Sequence, residues 1–188
     1  MNKILPALTL LLLTSSAAFA QFAPSTENLR GLTGVRLITQ IGHYPHRMEE
    51  AQKPEILKLV GADAAAKLEK AGMPFFASPS DPRRNATYAV LVITLTINET
   101  TDGTNETKHI ETEVKLLQRV RLSRDPSIEF DAVTWITGGS VTGPKQLDLN
   151  GQTRDQVAGE LDRFIQDYSS VNAKPSAASS SSKVVIRP

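Results

Sequence analysis

Two spacings of apolar residues alternate along this chain, and together they lay out a fold. From Pro54 to Ala71, Ile56, Val60, Ala64 and Leu68 recur four apart, with Leu57 and Ala71 widening the stripe. That is the period of one helix face. Pro54 suits a first turn and Gly72 the position just past the end, while Gly61 inside the run is a weak point that could split it. A second helical stripe runs through Val157, Leu161, Phe164, Ile165 and Tyr168. Thr153, with Gln156 three residues on, has the form of a capping box and predicts the helix start there.

The other segments carry the period of strands. Gly34–Ile41 is rich in β-branched residues and bounded by glycines, and a loop follows from Gly42 through Met48. Met73–Phe76 resumes extended. Tyr88–Asn98 is apolar on both parities through its first half, the mark of a strand central in its sheet. Ile110–Leu122 alternates strictly, Ile110, Val114, Leu116, Val120 and Leu122 against Glu111, Glu113, Lys115, Arg119 and Arg121. One side of it is therefore core and the other wet. Turns at Asp102-Gly103 and at Arg124–Ser127 separate it from its neighbours, and Phe130–Thr137 is a further antiparallel strand carrying the single tryptophan, Trp135.

The predicted order is β-α-β-β-β-β-α. A helical crossover makes the first two strands parallel, and the rest form a meander. The fold class expected is α+β: two layers, a mixed and mostly antiparallel sheet with two helices on one face, in a single domain over residues 30–172.

The ends read differently. Lys3 precedes an apolar run from Ile4 to Leu13, then small polar residues and Ala18-Phe19-Ala20, the layout of a cleavable signal peptide over residues 1–20. The run is about half the ~20 residues needed to span a bilayer, so no transmembrane anchor is expected in the mature chain. The protein is expected to be exported, periplasmic or secreted. Residues 21–29 read as a flexible lead-in, and residues 173–188, with serines at 179–182, as a disordered tail.

Composition narrows the partners. Past residue 20 the chain holds 20 Lys and Arg against 20 Asp and Glu. Such neutrality argues against nucleic acid, whose phosphates call for a basic field. No cysteine is present, so the fold depends on its core rather than on staples. The sequons at Asn85, Asn98 and Asn105 read as Asn/Thr-rich turns if the chain is bacterial.

Candidate chemistry is sparse. His43 and His46, with Glu49 and Glu50 nearby, have the donor types of a zinc site, but the Pro45-containing spacing is not that of a ligating helix, and surface loop histidines are the commoner explanation. Gly138–Lys145 lacks the hydroxyl residue after the lysine and the immediate helix of a phosphate loop. No G-x-S-x-G elbow occurs, and no cofactor is implied. The stronger feature is the sheet's wet side. Tyr88, Val90 and Val92 share one parity, and Leu117 interrupts a charged one; with Trp135 they would form an apolar patch bordered by Arg119 and Arg121, suited to binding another molecule. Tyr88 and Trp135 pointing at the helices as core is the competing arrangement, because sequence alone does not fix parity across strands.

Trp135 with its following glycines, Phe164–Asn172, the opening Leu29-Arg30-Gly31-Leu32-Thr33-Gly34-Val35 and the helix end Lys70-Ala71-Gly72-Met73-Pro74 resemble a group of small exported bacterial proteins of unknown function. The resemblance covers most of residues 29–172 and implies no activity and no site residues. The function expected is an exported, non-catalytic binding module for a protein or envelope component, acting through a sheet face or sheet edge. The alternative is a small hydrolase or metal-dependent enzyme using His43, His46 and nearby acids.

Overall fold

A computed structural model describes residues 25–45, 52–76, 89–102 and 105–173. The expected signal peptide, the serine-rich tail, His46 and Tyr88 lie outside the described residues. The elements are β1 (Val35–His43), α1 (Gln52–Lys70), β2 (Phe75–Phe76), β3 (Ala89–Asp102), β4 (Asn105–Leu122), β5 (Asp125–Pro144) and α2 (Leu149–Asn172). A 3-10 turn, Thr26–Leu29, precedes them and buries Leu29 completely, so the end of the expected lead-in is part of the core. The α+β class and the element order follow the expectation.

The sheet order is β2-β1-β3-β4-β5. β1 pairs in parallel with both β2 and β3, and β3, β4 and β5 form an antiparallel meander. β3 is central, which explains its apolar residues on both parities. Cross-strand register fixes the faces: Leu37, Leu91, Leu116 and Trp135 form one row, and Thr39, Ile93, Val114 and Thr137 the next. These rows face the helices. Ile56, Val60, Ala64 and Leu68 of α1 and Val157, Leu161 and Phe164 of α2 close over them in one core.

α1 is continuous through Gly61, where an added Cβ would sit 3.6 Å from Thr39 Oγ1. That is ordinary van der Waals contact with β1, and the glycine does not break the helix. Gly72 follows α1 with a φ of +69°, the left-handed cap only glycine adopts cheaply. Two boundaries depart from expectation. β5 continues past Thr137 through the glycines to Pro144, because its ladder with β4 holds that segment extended. α2 starts at Leu149, and Asp148 is its cap, its Oδ1 accepting from Gly151 N at 3.1 Å. Thr153 is wholly buried within the helix instead.

One irregularity decides where side chains point. Leu116 pairs with Trp135 but Leu117 with Val133, leaving Thr134 as an extra residue on β5. Such a bulge offsets the side-chain alternation by one. Asn28 Nδ2, from the 3-10 turn, donates to the Thr134 carbonyl at 2.8 Å, and Thr134 Oγ1 donates to Gln118 Oε1 at 2.5 Å. The bulge is thus tied from both sides.

Candidate functional site

Trp135 does not lie on the outer face. It is 0% exposed, its ring meets Phe164 edge-on at 5.0 Å between centroids, and its Nε1 donates to Asp167 Oδ2 at 2.9 Å. A buried indole needs such an acceptor, and α2 supplies both it and the packing partner. The patch expected around Trp135 is corrected in this respect, and the cause is the Thr134 bulge.

The outer face that results still carries apolar rows. Val90, Leu117 and Val133 lie side by side across β3, β4 and β5, with Arg36 at the β1 end. Ile38, Val92, Lys115 and Ile136 form the adjoining row. Val133 takes the place expected for Trp135, and the bulge brings Ile136 to the same side. Toward the β4–β5 turn the same face becomes charged in pairs: Arg119 Nε is 3.1 Å from Asp131 Oδ1, and Arg121 Nε is 2.5 Å from Glu129 Oε1. Both pairs are cross-strand neighbours by register and exposed, so each contributes little to stability. They border the apolar rows on one side. Lys115, within the adjoining row between Val92 and Ile136, is paired with Glu113 at 2.7 Å.

β5 carries the densest exposure. Ile128, Phe130, Val133 and Ile136 are 47%, 44%, 49% and 37% exposed, and they are the exposed large hydrophobics among the described residues. Register places Val133 and Ile136 on the outer face, and Phe130, opposite Val120, on the helix side. β5 ends the strand order, so among the described residues no strand covers its outer edge. Past Val90, paired with Leu117, the β3–β4 ladder ends, and, among the described residues, positions 118–122 of β4 pair only with β5. Among the described residues the β4–β5 hairpin extends beyond the rest of the sheet.

Beside that overhang, a cleft of about 360 Å³ is lined by Arg30, Gly34, Ala89, Gln118, Arg119 and Glu129 among others. Arg30 is held by Glu27 at 2.9 Å. The hydrogen bond from the guanidinium, and then its charge, lower the Glu27 carboxyl below its ordinary value and raise Arg30.

The expected metal residues are placed elsewhere. His43 is exposed at the far end of β1. It borders a polar cleft of about 510 Å³ with Asn98, Glu99, Thr100, Glu106 and Lys108. Lys108 Nζ lies 4.0 Å from Glu99 Oε1, and Lys145 is paired with Glu106, so both acids lining that cleft have ammonium partners. Among the described residues no three His, Asp or Glu side chains converge as metal ligands, and no helix is long and apolar enough to cross a membrane. Gly138–Lys145, weighed as a phosphate loop, is strand as far as Pro144.

Ile128, Phe130, Val133 and Ile136 were not among the residues that sequence reasoning selected. Ile128 and Phe130 alternate with Glu129 and Asp131, a signal visible in the chain. Val133 and Ile136 are three apart and read as one face only if the bulge is known.

No family model and no curated protein matches the chain, in keeping with its resemblance to exported proteins of unknown function. Solved structures similar to it include the PelC dodecamer from Paraburkholderia phytofirmans, at 19% identity and a TM-score of 0.40, over 69% of this chain and 84% of that one. A lipoprotein from Neisseria meningitidis is 14% identical with a TM-score of 0.40, over 71% and 99%. A hypothetical protein from Chlamydia trachomatis is 9% identical with a TM-score of 0.45, over 73% and 99%. At these values they assign no activity to this chain.

Proposed function

We propose that this chain is an exported, non-catalytic interaction module that engages a protein or envelope component through the outer face and free edge of the β4–β5 hairpin. The observation that carries this reading is the gathering of the exposed large hydrophobics on β5, within nine residues of one strand. An edge strand so furnished invites another chain unless something covers it. The rim of ion pairs, Arg119–Asp131 and Arg121–Glu129, gives the surface a polar border and a means of setting register. Balanced charge favours a protein partner over nucleic acid. The N-terminal pattern supports delivery to the periplasm or the exterior, with residues 1–20 removed.

Photo-crosslinking from position 136, on the same outer face, followed by capture from the native envelope, tests the surface. A specific adduct that disappears in a Phe130→Asp/Val133→Asp chain with an unchanged far-UV circular dichroism spectrum is the result expected. An adduct that survives the double substitution would place the contact elsewhere and overturn the assignment.

A further inference from the structure

We propose that the polar cleft bordered by His43, Asn98, Glu99 and Lys108 is a further binding site, taking a neutral sugar unit through adjacent ring hydroxyls. Lys108 and Arg119 are eleven residues apart on β4, about 36 Å at strand rise, so the site is remote from the β4–β5 hairpin surface. It does not depend on the function proposed for that surface. Depth, hydrogen-bonding capacity and charge point to it together.

The cleft begins where the core ends. Ile97 and Ile110, paired across β3 and β4 on the helix side, are wholly buried. The next helix-side pair along the same two strands is Glu99 and Lys108. Their side chains keep 29% and 17% of their surface exposed, so both charges stand part-way into the protein. The volume of about 510 Å³ lies within the ~300–1,000 Å³ of small-molecule sites. His43, the last residue of β1, and Pro45 just past it line the cleft as well.

Lys108 Nζ stands 4.0 Å from Glu99 Oε1. That is close enough for attraction and too far for a hydrogen bond, and among the described residues neither side chain makes one. A part-buried ion pair whose donors and acceptors are unfilled gains from a ligand that fills them. A hydroxyl does so for both partners: its lone pair accepts from the ammonium while its proton goes to the carboxylate. Two hydroxyls on neighbouring ring carbons divide the task, one on each charge. An oxyanion would satisfy Lys108 and be repelled by Glu99, and an ammonium ligand would do the reverse.

Charge also selects a neutral ligand. The lining sets Glu99 and Glu106 against Lys108 and Lys145, two acids and two ammonium groups, so no net field draws an ion. The Asn98 amide and the Thr101 hydroxyl add donors and acceptors, which suits a ring with hydroxyls on several sides. The Pro45 ring supplies an apolar surface for the C–H face of the sugar.

Saturation-transfer NMR on the full chain tests the site, with maltose, cellobiose, lactose and N,N′-diacetylchitobiose as probes. At least one is expected to receive saturation from the protein and to shift the backbone amides of Glu99 and Lys108 saturably. Glu99→Gln, which keeps shape and one acceptor, and Lys108→Met should each weaken that binding by about fivefold or more, the effect of one lost hydrogen bond. The amide spectrum away from the cleft should stay unchanged in both. Val133→Asp, on the hairpin, should leave sugar binding unaltered, so loss of hairpin capture and loss of sugar binding are separate results. No saturable shift with any of the four sugars would overturn the proposal, as would unchanged binding in either cleft variant. Inorganic phosphate, or the neutral peptide acetyl-Gly-Gly-amide, shifting the same amides at lower concentration than any sugar would assign the cleft to an anion or a peptide and overturn it too.

Discussion

The Thr134 bulge can be tested by comparing two residues that sit two apart in sequence and on opposite faces of the sheet. Trp135 is wholly buried, packs edge-on against Phe164 and donates to Asp167. Truncating such a side chain to alanine costs about 3–5 kcal/mol, the lost transfer energy plus an incompletely collapsed cavity. Losing the aromatic pair, about 0.5–1.5 kcal/mol, and a hydrogen bond of about 1 kcal/mol falls within that sum rather than adding to it. Val133 is 49% exposed. Val133→Thr keeps shape and β-branching, so it should cost under about 1 kcal/mol, near the span of the strand-propensity scale.

Urea unfolding followed by far-UV circular dichroism reads both, since the chain's one tryptophan is lost in one variant. Trp135→Phe, expected at about 1–3 kcal/mol, serves if the alanine variant does not fold, because a total stability of 5–15 kcal/mol leaves limited room. Binding should reverse the ranking: Val133→Asp should abolish crosslinking while Trp135→Phe leaves it intact. If Val133→Thr proves as costly as Trp135→Ala, or Trp135→Phe alone abolishes capture, the facing deduced from the bulge is wrong.

Asp148→Ala should lower stability by about 1 kcal/mol, the usual worth of a helix N-cap, a fall in Tm of about 2–4 °C for a domain of this size; differential scanning calorimetry checks it. Gly138→Ala should cost about 1–3 kcal/mol in chemical denaturation, since the new Cβ would lie 2.7 Å from the Thr112 carbonyl, a backbone atom that cannot swing aside. The Asp125 carboxylate accepts from the Ser127 hydroxyl and backbone amide, and these bonds hold its pKa below the ordinary value. Its folded pKa being depressed, the turn's support is present above the ordinary aspartate pKa and is lost as pH falls through the lowered one. An NMR titration should show Asp125 titrating low, and Ser127→Ala should move it back up.

Much of the architecture was legible because its signals are periodic and local. The α1 stripe Ile56, Val60, Ala64 and Leu68 is the buried set observed, and the two apolar parities of β3 gave its central position. What escaped was decided by single residues acting through neighbours. One extra residue at Thr134 separates Val133 from Trp135, and a one-residue offset exchanges the faces of a strand. The strand was expected to end at Thr137, yet the β4 ladder holds Gly138 and Gly139 extended. The cap at Asp148 was hidden by the more familiar Thr153–Gln156 spacing. The candidate surface was half visible: Val90, Leu117, Arg119 and Arg121 were on the page, whereas Val133 and Ile136 depended on the bulge.

The overhang of the β4–β5 hairpin has a kinetic consequence. Among the described residues the ladder narrows to two strands past Val90, and a two-stranded ribbon is marginal in water on its own. Its rungs should open at a small fraction of the global unfolding free energy and far more often than the rows over Trp135. A partner reading this surface would then meet an ensemble rather than a fixed template. Its association rate should carry the fraction of time the ribbon is formed, and stiffening the turn at Ser123–Arg124 should speed capture without adding a single contact.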